Sequence, residues 1–340
     1  MFRRYKQKRS RNTVFVVFRL FLSLVMFTVL LGGIYSAYKH FSSLDPLKLD
    51  PQALVSNLIK AKTPQQFLAI FSTVSTKISK GVLGQKTESS SQSANNSSVG
   101  SVRFSFLMVA DSHNDNVNLQ KAINQAKQAH PDLAFIIGLG DYTDVGTVDE
   151  LKSAKKEFDL ASLRYFLIPG DHDLWDARNR SLPATTNFKE VFGPNFQSFT
   201  FDHFSFLLLD NSDDYKGLDE EQSKWITAEL EKAKETQTKG IFVFLHEPLF
   251  HPSSDHVMGK LDSQVKQQAK SLIFQLKGAS VKKVFAGDIH YFSEYSEPET
   301  NLSMVTVGAV TKDRNPQAPR FAIGYVYEDD SVKVEDIEIK

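Results

Sequence analysis

The sequence predicts an α/β protein with a membrane-spanning segment near its N-terminus. After residue 101, short apolar runs typical of buried strands alternate with helix-like stretches near 117–129, 148–158, 219–236 and 265–277. A strand hairpin is expected at 198–210, and three further strand-like segments follow residue 303. Near the other end, residues 20–38 form a run of 19 residues without a charge, about the length needed to cross a bilayer.

Composition divides the chain into five regions. Residues 86–101 are rich in Ser and Asn and almost free of apolar side chains, which is typical of a flexible linker. The preceding region contains two helix-like stretches that begin at Asp50-Pro51 and Thr63-Pro64. We therefore expect, in chain order, a basic cytoplasmic tail (1–12), a transmembrane signal anchor (13–39), a helical stalk (40–85), the linker (86–101) and a folded domain (102–340).

The charge distribution predicts the orientation of this anchor. Residues 1–40 contain eight Lys or Arg and no acid, which leaves 32 basic and 40 acidic residues in the remainder. Positive charge before the span places the N-terminus in the cytoplasm, so we expect a single-pass cell-membrane protein with an extracytoplasmic folded domain. A cleaved signal peptide is the alternative, but the apolar region is long and no good small-residue cleavage site follows it.

Net charge and cysteine content exclude some functions. The acidic balance of the folded part gives no indication of a nucleic-acid surface. The chain contains no Cys, which excludes disulfides and thiolate metal sites.

Five apolar runs end on acidic residues or histidine. They continue into Asp111-Ser112-His113, Asp141 with Asp144, Asp171-His172-Asp173, His246-Glu247-Pro248 and Asp288-Ile289-His290. In α/β sheets, ligands bind just past the carboxyl ends of strands, so these side chains should gather in one crevice. Crowded carboxylates and imidazoles repel one another or lose charge, and divalent metal ions would relieve that crowding. Ordinary turn chemistry explains any one of these motifs but not all five together.

The order and spacing of the motifs resemble the calcineurin-like metallophosphoesterase family. The motifs are DSH (111–113), GDYTD (140–144), GDHD (170–173), HEP (246–248) and GDIH (287–290). The resemblance covers roughly residues 102 to 338 and implies a two-sheet β-sandwich flanked by helices, in four layers. Two positions depart from the family pattern, since Asp171 stands where the family has Asn and Asp288 stands where it has His.

The resemblance also implies roles for nine residues. The first metal ion would take Asp111, His113 and His290, the second would take Asp171, His246 and Asp288, and Asp141 would bridge both. His172 would protonate the leaving oxygen, and Asp144 would orient and charge His172. A hydroxide activated by the two ions would then hydrolyse a phosphomonoester or phosphodiester.

Three other residues near the motifs are expected to have plainer roles. Asp173 should stabilise a turn, because Asp accepts hydrogen bonds from nearby backbone amides. His251 and His256 lie in a loop with Pro, Ser and Gly and are expected to be solvated.

The two departures bear on metal and activity. Four carboxylates would make a site with two divalent ions formally neutral, and hard oxygen ligands favour manganese, magnesium or iron over zinc. Such a site should stabilise a phosphate anion less. A weakly active or inactive relative that binds a phosphorylated ligand or an envelope partner is therefore the alternative.

Val145 stands where protein Ser/Thr phosphatases have Arg, which disfavours a protein substrate. The sequence identifies neither the phosphoester substrate nor the oligomeric state.

Overall fold

Eleven strands and six α-helices make up residues 100–340, the part of the chain that the computed structural model describes. The predicted tail, anchor and stalk, and nearly all of the predicted linker, lie outside the described residues. Within residues 100–340, no helix has both the length and the apolar character needed to span a bilayer.

The strands and helices follow the predicted alternation. The strands are β1 (Val102–Val109), β2 (Leu133–Gly138), β3 (Tyr165–Leu167), β4 (Gln197–Phe201), β5 (Phe204–Leu208), β6 (Gly240–Phe244), β7 (Lys283–Ala286), β8 (Ser293–Ser296), β9 (Ser303–Thr306), β10 (Arg320–Tyr327) and β11 (Val332–Glu338). The helices are α1 (Asn116–Ala129), α2 (Val148–Leu160), α3 (Trp175–Asn179), α4 (Thr186–Phe192), α5 (Glu220–Glu235) and α6 (Ser263–Gly278). The four predicted helices are α1, α2, α5 and α6, and each boundary falls within two residues of its predicted place.

The strands form two mixed sheets. One sheet has the order β11-β10-β1-β2-β3, and the other has the order β4-β5-β6-β7-β9-β8. In the first sheet β1, β2 and β3 are mutually parallel, and in the second β5, β6, β7 and β9 are parallel. Strands β4 and β5 form the predicted antiparallel hairpin. The prediction of two sheets with flanking helices is confirmed.

Three apolar clusters separate the layers. Strand β1 contributes to two of these clusters, because its side chains alternate between the two faces of the sheet. Phe106 packs between the sheets, where the cluster is dominated by phenylalanine, including the stacked rings of Phe244 and Phe285 at 4.9 Å. Leu107 points the other way, into the cluster that the first sheet shares with α1 and α2. A third cluster joins the second sheet to α5 and α6, so residues 100–340 have a helix–sheet–sheet–helix order.

The parallel strands place the motifs at one edge. Strands β1, β2 and β3 in the first sheet and β6 and β7 in the second each run directly into one of the five motifs. The crevice therefore lies where the ends of the two packed sheets meet, as the two-sheet sandwich implied by the family resemblance requires.

Candidate active site

Hydrogen bonds donated by backbone amides link the first, second and fifth motifs. Asp111 N donates to Gly140 O at 3.1 Å, and His113 N donates to Asp141 O at 2.9 Å, which joins the first two motifs. Asp288 N donates to Asp111 Oδ1 at 3.1 Å and so links the second sheet to the first. The candidate ligands are therefore positioned by main-chain contacts as well as by their own side chains.

Five of the seven predicted metal ligands have left-handed backbone conformations. Their φ angles are 51° at Asp111, 41° at His113, 55° at Asp141, 69° at Asp288 and 58° at His290. The left-handed conformation costs an L-residue other than glycine roughly 1 kcal/mol. Such strain concentrates at sites where a side chain must point in one direction for function. Here it aims five side chains into the crevice.

The seven predicted ligands form two groups of three around Asp141. Asp111, His113 and His290 form one group, Asp171, His246 and Asp288 form another, and the ligand atoms within each group lie within 4.8 Å of one another. Asp141 itself belongs to two further groups of this kind, one with His113 and His172 and one with Asp111 and His246. Asp141 Oδ2 is 3.4 Å from His113 Nε2, and Asp141 Oδ1 is 3.5 Å from His246 Nε2. Each oxygen of Asp141 thus faces a different group, as a bridging carboxylate would.

Hydrogen bonds to carbonyls fix which histidine nitrogen faces the crevice. His246 Nδ1 donates to Leu139 O at 2.7 Å, and His290 Nδ1 donates to Arg314 O at 3.2 Å. A carbonyl can only accept, so Nδ1 carries a proton in both rings and Nε2 is the nitrogen turned toward the other candidate ligands, with His290 Nε2 at 3.2 Å from His113 Nε2. This is the arrangement in which histidine usually binds metal.

The protein without metal compensates for the crowded carboxylates by holding protons. Burial is the main cause that raises the pKa of Asp288 to about 8 and the pKa of Asp141 well above its ordinary value. Burial lowers the pKa of His246, but the neighbouring carboxylates outweigh burial and raise it well above its usual range. Burial opposes the shift at Asp171, where contact with His246 and its positive charge lowers the pKa to about 2. The raised pKa of His246 thus offsets part of the negative charge of the neighbouring carboxylates, which two divalent ions would balance better.

The donor set fits divalent cations. Two buried side-chain atoms of the second group, His246 Nε2 and Asp288 Oδ2, make no hydrogen bond within residues 100–340 and have only ionic contacts at 3.5 Å or more. An unpartnered buried donor or acceptor is costly, and a bound ion would satisfy both atoms. The residues present are carboxylates and imidazoles at metal-ligand separations, so they could hold two ions at this site.

His172 lies at the rim of the crevice beside the first group. Its ring is 4.7 Å from the His113 ring and stacks on Trp175 at 3.8 Å. His172 Nδ1 donates to the main-chain carbonyl of Asp144 at 2.7 Å. The Asp144 carboxylate instead approaches His113 Nδ1 at 3.8 Å. Asp144 therefore contacts His172 through its backbone, and its carboxylate is not the hydrogen-bonding group that orients the ring.

Asp173 has the structural role that the sequence predicted. Its buried carboxylate accepts hydrogen bonds from Gly170 N at 3.0 Å and from Thr143 N at 3.1 Å. It thereby ties the second motif to the third.

The prediction of solvated loop histidines is wrong for His251. That ring is buried, with Nδ1 accepting from Ser254 N at 3.0 Å and Nε2 donating to Ser293 Oγ at 2.8 Å. His256 is half exposed, but its Nδ1 lies 3.5 Å from Asp288 Oδ2. Spacing could not reveal this contact, because it depends on how the loop that contains both histidines folds.

Glu247 is part of the fourth motif, but the sequence analysis assigned it no role. It is buried beside His246, and burial raises its pKa to about 9. The carboxyl group is therefore neutral at pH 7 and adds no negative charge to the crevice.

Comparison with known proteins agrees with this site. The family model for calcineurin-like phosphoesterases matches residues 104–292, more than half of the chain and all five motifs. The chain belongs to the calcineurin-like phosphoesterase family. Members of this family hydrolyse phosphoester bonds at dinuclear metal sites.

Related sequences include proteins named for different substrates. A probable glycerophosphodiester phosphodiesterase from Arcobacter nitrofigilis is 30% identical over 190 residues, which cover 54% of this chain and 65% of that protein. The human serine/threonine-protein phosphatase CPPED1 is 25% identical over 205 residues, which cover 56% of this chain and 63% of that protein. The chain thus spans just under two thirds of the length of either relative.

The fold is also shared with a solved phosphatase. The purple acid phosphatase PPD1 from yellow lupin (Lupinus luteus) matches with a TM-score of 0.51 and 13% identity, over 70% of this chain and 52% of that chain. At this identity the likeness concerns the fold alone.

Proposed function

We propose that this phosphoesterase is a metal-dependent hydrolase of phosphomonoesters or phosphodiesters, anchored in the cell membrane and acting outside the cytoplasm. The observation that carries the proposal is the placement of Asp141 between two three-residue ligand groups, with His172 beside them. Two ions held there would supply Lewis-acid activation of water and would neutralise charge on the phosphoryl oxygens. Manganese, magnesium or iron suits the four carboxylates better than zinc does.

The protein's own residues position the reacting groups. The main-chain carbonyl of Asp144 holds His172 Nδ1, which leaves Nε2 as the ring nitrogen available to a substrate in the crevice. As an imidazolium, His172 would deliver a proton to the leaving oxygen. Stacking on Trp175 restricts rotation of the ring and keeps Nε2 directed at that oxygen.

The cellular location rests on the N-terminal sequence. Residues 1–40 are basic without an acid, and residues 20–38 are uncharged. These features support an anchor with the N-terminus inside and the catalytic domain outside. An exported site would act on phosphoesters of the envelope or the surrounding medium.

A catalytically weak protein that binds a phosphorylated ligand is the second candidate. The neutral four-carboxylate site supports it, because Asp171 and Asp288 reduce the attraction for an anionic phosphoryl group. The retained His172 and the fixed imidazole tautomers favour the enzyme, since ligand binding alone needs no proton donor.

Substitution of His172 separates the two candidates. We expect His172→Ala to lower turnover by about 10²–10⁴-fold without changing metal content, because the residue acts as an acid and does not bind metal. The loss should be smaller for p-nitrophenyl esters, whose leaving group needs little protonation. His203→Asn is the matched control, because His203 is exposed, lies outside the crevice and has a φ of 66° that Asn tolerates. Unchanged activity on esters with poor leaving groups, or loss of metal in His172→Ala, would contradict the proposed role.

A further inference from the structure

The loop that follows strand β9 forms one wall of the catalytic cavity. Val310 N donates to Ala110 O at 2.9 Å, and Thr311 N donates to Asp111 O at 3.0 Å. The loop therefore starts beside the candidate metal ligand Asp111. From there Lys312 and residues 314–316 line a cavity of about 840 Å³ that also contains His113, His172 and Asp171.

Internal hydrogen bonds hold this loop in place. Asn315 Nδ2 donates to Ala309 O at 3.0 Å and to Thr311 O at 2.8 Å, which closes the loop on itself. Arg314 has a φ of 53°, a conformation that residues other than glycine rarely adopt. The Arg314 carbonyl also accepts a hydrogen bond from His290 Nδ1 at 3.2 Å, which holds this residue at the wall of the cavity.

The loop brings positive charge to a site that lacks it. Lys312 and Arg314 line the cavity, whereas the intervening Asp313 does not. The Arg314 side chain is 60% exposed, and within residues 100–340 its one ion pair is a 3.7 Å contact with Asp144 Oδ1. Arginine has five N–H donors, so most of them remain free for a ligand.

The guanidinium lies on the side of the cavity where the leaving group would emerge. Asp144, whose carboxylate faces Arg314, is also the residue whose carbonyl holds His172 Nδ1. In the proposed function His172 protonates the leaving oxygen. A leaving group that His172 protonates would therefore depart close to Arg314, on the side of the cavity that contains His290 of the first ligand group.

We propose that Lys312 and Arg314 form an anion subsite for the leaving group. The preferred substrates are then phosphoesters whose leaving group carries its own negative charge, as a phosphate or a carboxylate. This inference rests on the proposed function, because it uses the direction in which the leaving group departs. The charge of the ligand set supports this inference. Four carboxylates would offset two divalent ions, so Lys312 and Arg314 would supply the attraction that an anionic substrate needs.

Binding of two non-hydrolysable anions tests the subsite. Phenylphosphonate and p-carboxyphenylphosphonate share the phosphonate group and differ by one carboxylate at the leaving-group position. Their affinities for the full-length, metal-loaded protein are measured by titration calorimetry. We expect the wild type to bind the carboxylate compound about tenfold more tightly, the gain typical of one charge-assisted hydrogen bond.

Matched variants locate the effect. Arg314→Ala should reduce that preference to less than about threefold while leaving phenylphosphonate binding nearly unchanged, Lys312→Ala should have a smaller effect, and Arg314→Lys should retain part of the preference. Lys224→Ala is the control, since Lys224 is 75% exposed on α5 and does not line the cavity. Equal binding of both anions by the wild type overturns the proposal. Equal weakening of both anions in Arg314→Ala also overturns it, because Arg314 would then contact the phosphoryl group itself.

The two proposals can fail separately. The preference for the carboxylate compound is measured by binding, without turnover. A protein that hydrolyses no ester but still prefers p-carboxyphenylphosphonate therefore disproves the catalytic function and supports the subsite. A protein that hydrolyses phenyl phosphate and p-carboxyphenyl phosphate with equal kcat/KM, in both the wild type and Arg314→Ala, supports the catalytic function and disproves the subsite.

Discussion

Replacing Asp288 with Asn should stabilise the metal-free protein while weakening its metal site. Burial, reinforced by the charges of Asp111 and Asp171 and opposed by His246, raises the pKa of Asp288 from 3.8 to about 8. An acid with a higher pKa in the folded state keeps its proton more tightly when folded. Below about pH 4 Asp288 is protonated in both the folded and the unfolded state, so it does not lower the free energy of unfolding. As the pH rises from 4 toward 8, Asp288 ionises in the unfolded state but not in the folded state, and the free energy of unfolding falls.

The magnitude follows from the size of the pKa shift. At pH 7 the pH lies about three units above the unfolded value, and 1.36 kcal/mol per unit gives roughly 4 kcal/mol. Relaxation and water entry reduce such costs, so we expect about 2 kcal/mol in the measured free energy of unfolding. Asn cannot ionise and avoids this cost, so metal-free Asp288→Asn should be the more stable protein at pH 7–8 and equal to the wild type near pH 4.

Urea unfolding in the presence of a chelator measures the effect. Trp175 and Trp225 are the two tryptophans of the chain, and both lie in the folded domain, so their fluorescence reports its unfolding. Asp132→Asn is the control, because Asp132 is exposed and removal of its charge should change stability little at any pH. Saturating manganese should reverse the order, since the carboxylate is the better ligand and metal stabilises the folded state by mass action. A variant no more stable than the wild type at pH 8, or a gain independent of pH, would refute the reasoning.

Three other predictions concern the metal, the loops and the topology. Asp171→Asn combined with Asp288→His restores the family pattern and should shift selectivity toward zinc, measured by metal titration; an unchanged preference for manganese would contradict the charge argument. Gly170→Ala places a Cβ against Asp141 Oδ1 and N and should lower the free energy of unfolding by about 1–3 kcal/mol and also weaken metal binding. Gly278→Ala is the control, because a Cβ at Gly278 would contact no other atom and should change neither quantity. Equal effects of the two substitutions would contradict this packing argument. A reporter that functions only when exported should be active when fused after Lys340, and protease added to cells or spheroplasts should cleave near 86–100; a cytoplasmic reporter would disprove the topology.

The sequence predicts most of the fold because its signals are local. The runs that become β1, β2, β6 and β7 are continuous and apolar, as strands buried on both faces must be. Helices α1, α2, α5 and α6 are long enough to show helical periodicity. Helices α3 and α4 escaped prediction because they have five and seven residues, too few for a pattern to emerge. Their positions depend on packing against the third motif.

The convergence of the candidate ligands could be predicted because each lies within a few residues of the end of a strand. The residues that surround them could not. His256 and Arg314 reach the crevice from loops whose course is set by tertiary contacts, such as the buried hydrogen bonds of His251 and Asn315. The family resemblance implied that the Asp144 side chain orients His172, but the contact is made by the Asp144 backbone carbonyl, which every residue type possesses.

Metal stoichiometry together with phosphoester turnover tests the central claim most directly. The purified protein should bind two divalent ions per chain by calorimetric titration and elemental analysis, and binding should release protons, because the protons held at His246 and Asp288 must leave. Hydrolysis of p-nitrophenyl phosphate or of bis(p-nitrophenyl) phosphate should disappear with a chelator and return with manganese. Asp141→Ala should lose at least one ion and the activity. A wild type that binds no divalent ion and hydrolyses neither ester, or an Asp141→Ala variant with full metal content and activity, would contradict the account.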